Sequence, residues 1–331
     1  MKSSNQQETP VPPRLISAFV AGFDAVTKHI TLILFPVILD FLLWFGPRVR
    51  ISQLIEGIVD EVRTVQGLEA PEIAELMTVY LDVWHSLGER LNLLIGLRSY
   101  PVGIPSLMVS ILPINIPAGT PPIIEINSSI IALLLFLLFI LLGLALGTLF
   151  FTLVSQAALK DRLNFSTVVA SWPRKSLNTI MLSIVWVFIL IGISIPASCL
   201  ISLSLLGGIS ASRFVLLLIG GVMLWILFPL LFSPHGIYVK EHSFFDSIKA
   251  GIRLTNMTLP TTGLFFLILI LISQGLDTLW RIPPEDSWFT IIGIAGHAFV
   301  TTGLVAASFI YYRDADRWIM GLKEQIISST S

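Results

Sequence analysis

Charge is what this sequence has least of. Of 331 residues only 12 % are Asp, Glu, Lys or Arg, 54 % are hydrophobic, and mean hydropathy is +0.86. A water-soluble domain carries about 25 % charged residues. Half that number cannot cover a soluble surface, so a polytopic membrane protein is the expected class. The formal net charge of −1 lacks the basic footprint of nucleic-acid binding, and no nucleic-acid partner is expected. Cysteine is nearly absent. Cys199, in SIPASCLIS, permits neither an intrachain disulfide nor a multi-cysteine metal site, and reads as a small packing residue.

The motifs of common chemistries are missing too. There is no Walker A loop, no dinucleotide fingerprint, no HExxH and no GxSxG. The sequence points to no enzyme, no cofactor and no metal. His235 and His242 share one loop with Glu241, in a spacing that fits no metal site and reads as a solvated cytoplasmic loop. Asp314 and Asp316 in YYRDADRW form a D-x-D, which a glycosyltransferase would use on a metal-bound sugar nucleotide. Beside arginines, such a pair is usually a salt-bridged helix end. No signal peptide is expected. The start is polar and proline-bearing (ETPVPPR), and no small-residue cleavage pattern follows the apolar run from Ile30, which should stay as an anchor.

Long apolar runs, in contrast, are plentiful. Six approach the roughly 20 residues that cross about 30 Å of hydrocarbon: 30–46, 129–154, 177–201, 214–232, 259–280 and 288–312. All should be helices, because backbone in lipid must satisfy its own hydrogen bonds. The fold class is thus all-α, a polytopic bundle of six transmembrane helices. Basic residues set its direction. Lys2, Arg14 and Lys28 precede the first span. Lys160, Arg162, Arg174 and Lys175 lie between spans two and three, Lys240, Lys249 and Arg253 between four and five, and Arg313, Arg317 and Lys323 follow the sixth. The short 3–4 and 5–6 loops hold only Arg213 and Arg281. The positive-inside rule puts both termini in the cytoplasm of a cell membrane. Trp44, Trp280 and Trp288 fall near the outer boundary, as an aromatic belt.

Three cytoplasmic approaches resemble one another: 14–39, 163–188 and 242–267. Each opens on a helix start, Pro12 and Pro13, Asn164, or Ser243 with Asp246. Each carries a small pair, Ala21–Gly22, Ala170–Ser171 or Ala250–Gly251, followed by basic residues. The repeated unit is an interfacial helix, a span out and a span back, three times over. The interfacial helix suits the headgroup layer, and the small pair admits a neighbouring backbone. A cytoplasmic loop obeying the positive-inside rule has a similar look without any repeat.

SFFDSIKAGIRL (243–254) and, less closely, FSTVVASWPRKSL (165–177) resemble the glycerophosphoryl diester phosphodiesterase membrane-domain type of bacterial six-span proteins. The resemblance covers the second half of the chain. It implies a fold type and no activity, because the catalytic part that accompanies that domain is separate and soluble.

The domains expected are 1–46, an interfacial helix with the first span; 47–128, an extracytoplasmic insertion; 129–312, spans two to six; and 313–331, a cytoplasmic tail. In the insertion, Ile51, Leu54, Ile55, Ile58, Val59, Val62 and Val65 follow helical spacing, as do Ile73, Leu76, Met77, Tyr80, Trp84, Leu87, Leu91, Leu94 and Ile95. This predicts a helical hairpin turning near Gln66–Pro71. Prolines forbid a regular helix over 100–127. The hairpin stripes satisfy each other, and the acidic faces over 50–95 are the candidate surface for a protein partner.

The polar candidates in the bilayer are Asp40, His297, Gln274 and Asp277. Asp40 lies about 9 Å and His297 about 14 Å from the outer ends of their helices, at 1.5 Å per residue. If the six spans close into a ring they become neighbours, within reach of a hydrogen bond to each other. Such a pair serves either as a proton or cation relay or as packing glue. Gln274 and Asp277 are expected to reach water. Gly143 and Gly147 form a close-packing signal, and Pro36, Pro196 and Pro229 are candidate kinks. Two functions stay in play: a protein that organises membrane lipids or protein partners, and a transporter or channel built on Asp40 and His297.

Overall fold

The computed structural model describes residues 12–63, 71–160, 162–205 and 209–330. Helix α1 (Leu15–Lys28) buries Ala18, Phe19, Gly22, Ala25 and Val26, a stripe at helical spacing, and ends where the His29 amide bonds back to Ala25 and Val26. A 3₁₀ turn over Ile30–Ile33 leads into α2 (Leu34–Phe45). The chain bends by 92° between α1 and the stretch Ile30–Phe45.

Next come β1 (Arg48–Arg50), α3 (Ser52–Arg63) and α4 (Pro71–Arg90). The last two pack as the expected hairpin, with Ile55, Val59 and Leu81 at its centre. Its expected turn, Gln66 to the residue before Pro71, lies outside the described residues, as does Val65. A 3₁₀ turn at Leu93–Leu97, the four-residue α5 (Met108–Ile111) and β2 (Ile123–Glu125) follow. Strand β2 pairs in parallel with β1, with Arg48 opposite Ile123. Prolines keep most of 100–127 irregular, as expected.

The remaining helices are α6 (Ser129–Lys160), α7 (Phe165–Leu205), α8 (Ile209–Leu227), α9 (His235–Val239), α10 (Phe244–Met257), α11 (Leu259–Trp280) and α12 (Thr290–Thr330). Among the described residues five helices are long and apolar enough to cross a membrane, or six if the bent pair is one span. Large apolar side chains stand exposed along them, among them Phe188, Leu217, Trp225 and Leu271. Contiguous apolar surface of this kind is rare on a soluble monomer and suits contact with hydrocarbon. The fold is all-α, with apolar helices consistent with a multi-pass membrane protein and one short two-stranded ladder among the described residues.

Two expectations need correction. The second approach forms no separate interfacial helix. The helix runs unbroken through Pro173 and Pro196, because a proline costs one internal hydrogen bond and membrane helices re-satisfy the freed carbonyl locally. At 41 residues α7 is about 60 Å long, twice the hydrocarbon thickness. Cys199 is exposed on α7 instead of packed.

The chain divides into two compact units. The first takes the described residues of 1–29, 151–271 and 303–331. Its centre is aromatic. Phe265 stacks on Phe19 at 4.9 Å and on Tyr311 at 4.4 Å, and Phe232 stacks on Tyr311 at 5.7 Å. Two of the three small pairs admit a neighbouring backbone here, as expected. A Cβ on Gly22 would sit 2.5 Å from the Ala307 amide, and one on Gly251 2.8 Å from the Ser233 amide. Helix α10 has the expected cap, with Ser243 Oγ accepting from the Asp246 amide and donating to its carboxylate at 2.6 Å; such a cap is worth about 1 kcal/mol.

The second unit takes 30–150 and 272–302. The GLALG signal is realised against the insertion, not another span. A Cβ on Gly143 would meet the Leu97 carbonyl oxygen at 2.4 Å, and one on Gly147 the Gly103 Cα at 2.9 Å. Trp44 is fully buried and its indole donates to the Glu285 carbonyl at 2.9 Å, so it is a core residue and not part of an interfacial belt. Trp288 remains exposed.

Candidate functional site

In the second unit Asp40 is fully buried on α2. Its carboxylate accepts from Ser106 Oγ at 2.5 Å, from the Met108 amide at 3.0 Å and from the Leu107 amide at 3.1 Å. Those donors open α5, so the aspartate caps a helix of the insertion from across the sequence. His297 pairs elsewhere: its Nδ1 lies 2.8 Å from Asp277 Oδ1, and Arg281 approaches the other Asp277 oxygen at 3.6 Å. Asp40 and His297 thus have separate partners, in place of the hydrogen bond to each other that a closed ring would allow. Asp277 is buried rather than open to water, because His297 covers it, while Gln274 is exposed. Nε2 of His297 is buried without a partner. At the edge of the same unit, burial lowers the pKa of Arg48 from its ordinary value. The neighbouring Arg50 adds to the shift and Glu285 opposes it.

In the first unit His235 is no loop residue. It opens α9, is buried among Phe232, Phe309 and Tyr312, and its Nε2 lies 2.9 Å from Ser308 Oγ. The aromatic shell removes it from solvent. The D-x-D is divided. Asp316 is buried against Lys240 at 2.5 Å, and Asp314 pairs with the adjacent Arg313 at 2.8 Å. With each carboxylate next to a cation of its own, the two do not present a shared metal-binding face.

His242 faces a cavity. It has a volume of about 360 Å³ and lies between the first turns of α7 and the end of α9. Thr167, Ser171, Arg174, Lys175 and Asn178 line it from α7, and Ile237, Glu241 and His242 from the other side. The α7 residues recur every three or four positions and so share one helix face. Several ties hold the walls. The Asn178 amide donates to the Arg174 carbonyl at 3.1 Å and its oxygen accepts from the Phe244 amide at 3.1 Å. Thr179 Oγ1 meets Tyr238 OH at 2.8 Å. Glu241 sits at φ 56°, a left-handed conformation costly for a side-chain-bearing residue, between two amides (Lys240 and His242) that both bond to the Gly236 carbonyl.

Two groups in this cavity are unspent. Lys175 is only 7 % exposed and makes no hydrogen bond or direct ion pair among the described residues, with Glu241 acting on its charge through space. His242 Nδ1 is buried and also makes no hydrogen bond among them. Sequence reasoning missed the site by treating the second approach as an interfacial helix separate from the span that follows. The polar stripe Thr167, Ser171, Arg174, Asn178 was its only signal.

No protein-family model matches the chain, and no curated protein or solved structure matches it.

Proposed function

We propose that this chain is a multi-pass protein of the cell membrane, with both termini in the cytoplasm, that organises lipids or protein partners and runs neither transport nor catalysis. The observation that carries the reading is the engagement of Asp40. A transport site needs an ionisable group whose partner changes during the cycle. Asp40 instead accepts three hydrogen bonds from Ser106, Leu107 and Met108, and so braces the insertion.

Other features agree. The 92° turn after α1 suits a helix lying among headgroups and feeding a span. The excess length of α7 carries Arg174 and Lys175 beyond the hydrocarbon, where basic residues meet anionic lipid. The basic residues around α1, α7, α10 and the end of α12 put these segments on the cytoplasmic side. The insertion 47–128 is then extracytoplasmic, with Glu56, Asp82 and Glu89 exposed as the partner surface. The resemblance of 243–254 to the phosphodiesterase membrane-domain type adds a fold type and no activity.

The test is purification from native membranes in mild detergent, with mass spectrometry of what accompanies the chain. Stoichiometric lipid, or a protein partner lost on reversing Glu56 and Asp82 to lysine, is the expected result. A bare chain that drives solute flux in proteoliposomes contradicts the reading.

A further inference from the structure

We infer that the cavity between α7 and α9 binds a phosphate ester whose neighbouring groups donate hydrogen bonds, as in a phosphoglycerol headgroup. The inference rests on the lipid-organising reading above for the source of the ligand, and on the cavity alone for its chemistry.

A volume of about 360 Å³ suits a small polar head, within the roughly 300–1,000 Å³ of ligand pockets. The floor supplies Lys175, a side chain only 7 % exposed that makes no hydrogen bond or ion pair among the described residues. Burial of a cation is costly; Glu241 offsets part of that cost through space without an ion pair, and an anion in the cavity relieves more of it. The mouth supplies Arg174, exposed on the same helix face, whose planar guanidinium matches two phosphate oxygens at once. The opposite wall supplies the His242 side chain. Thr167 and Asn178 already spend their hydrogen bonds on Gln156, Asn164, Arg174 and Phe244, and so shape the wall without competing for the ligand.

Glu241 narrows the chemistry. Its carboxylate also lines the cavity and forms no ion pair with Lys175 among the described residues. A bare anion would face that carboxylate. A ligand that offers hydroxyls beside its phosphate satisfies both signs, the phosphate toward Arg174 and Lys175 and the hydroxyls toward Glu241. Leu177, exposed one turn from Arg174, gives an acyl chain an apolar surface to leave along.

The experiment uses the full chain in mild detergent, titrated with phosphatidylglycerol and phosphatidylcholine by native mass spectrometry, with glycerol 3-phosphate as competitor. Phosphatidylglycerol is expected to bind about tenfold more tightly, which is about 1.4 kcal/mol. Lys175→Met and Arg174→Gln should each abolish that preference, and Lys249→Gln, an exposed lysine outside the cavity, should leave it within about twofold. Arg174→Gln alters an exposed side chain, so it reports even if Lys175→Met fails to fold. A preference that survives both cavity variants overturns the inference and leaves the lipid-organising reading standing. Glycerol 3-phosphate that binds the parent chain and not Arg174→Gln, with no lipid preference, keeps the phosphate chemistry and removes the lipid reading.

Discussion

Asp40 and Lys175 are both ionisable side chains withdrawn from solvent, yet their surroundings are opposite. Around Asp40 the chain supplies three donors: one hydroxyl and two backbone amides converge on two oxygens. Around Lys175 there are an open volume, an exposed arginine, an imidazole and the Glu241 carboxylate, and none of them bonds to its ammonium. The first arrangement is a finished piece of fold. The second is finished only when something else occupies it. Burial of a charge marks neither case by itself; the difference lies in whether the chain supplies the counterpart.

That contrast can be broken by mutation. The largest effect is expected for Asp40→Ala, which leaves three buried donors without an acceptor. At about 1–3 kcal/mol for each orphaned group, the loss should reach several kcal/mol, seen as a collapse of the thermal unfolding temperature or of folded yield. A change near parent stability would show that the cap is dispensable. Gly22→Val comes next. Its side chain has no room beside the Ala307 backbone, and overpacking costs about 1–3 kcal/mol. The same substitution at Gly57, where nothing lies within 4 Å of a Cβ, is the matched control.

The two lysines then sharpen the comparison. Lys240→Met strands the buried Asp316 carboxylate and should cost about 1–2 kcal/mol. Lys175→Met breaks no hydrogen bond or direct ion pair among the described residues and removes only a through-space attraction to the exposed Glu241, so its stability in lipid-free detergent should stay within about 0.5 kcal/mol of the parent or rise. Equal losses at the two positions would mean that Lys175 has a structural counterpart and that the cavity is not waiting for an anion.

Much of this fold was legible in the sequence, for a definite physical reason. Hydrocarbon demands uniform apolar helices, so α11 has the bounds read from hydropathy alone, Leu259 to Trp280. The helices that overrun their expected ends, α6 to Lys160 and α12 to Thr330, do so because a helix needs no apolar residues once it leaves the bilayer. The small residues at Gly22 and Gly251 announced close packing, though not what they would meet. Asp40 was legible as a residue that must face protein. Its partners were not, since two of the three are backbone amides in a proline-rich stretch, and an amide carries no sequence signature. Ring closure made His297 the obvious mate, and Asp277, nearer along the chain, took that place.

Flux through proteoliposomes carrying the purified chain is the most direct test of the claim that the intramembrane charges hold the fold rather than move ions. Under an imposed proton gradient, the account predicts leakage equal to protein-free liposomes, for the parent chain and for Asp40→Asn alike. A proton or cation flux in the parent that Asp40→Asn abolishes, with the variant still folded, would contradict it and make Asp40 part of a transport site.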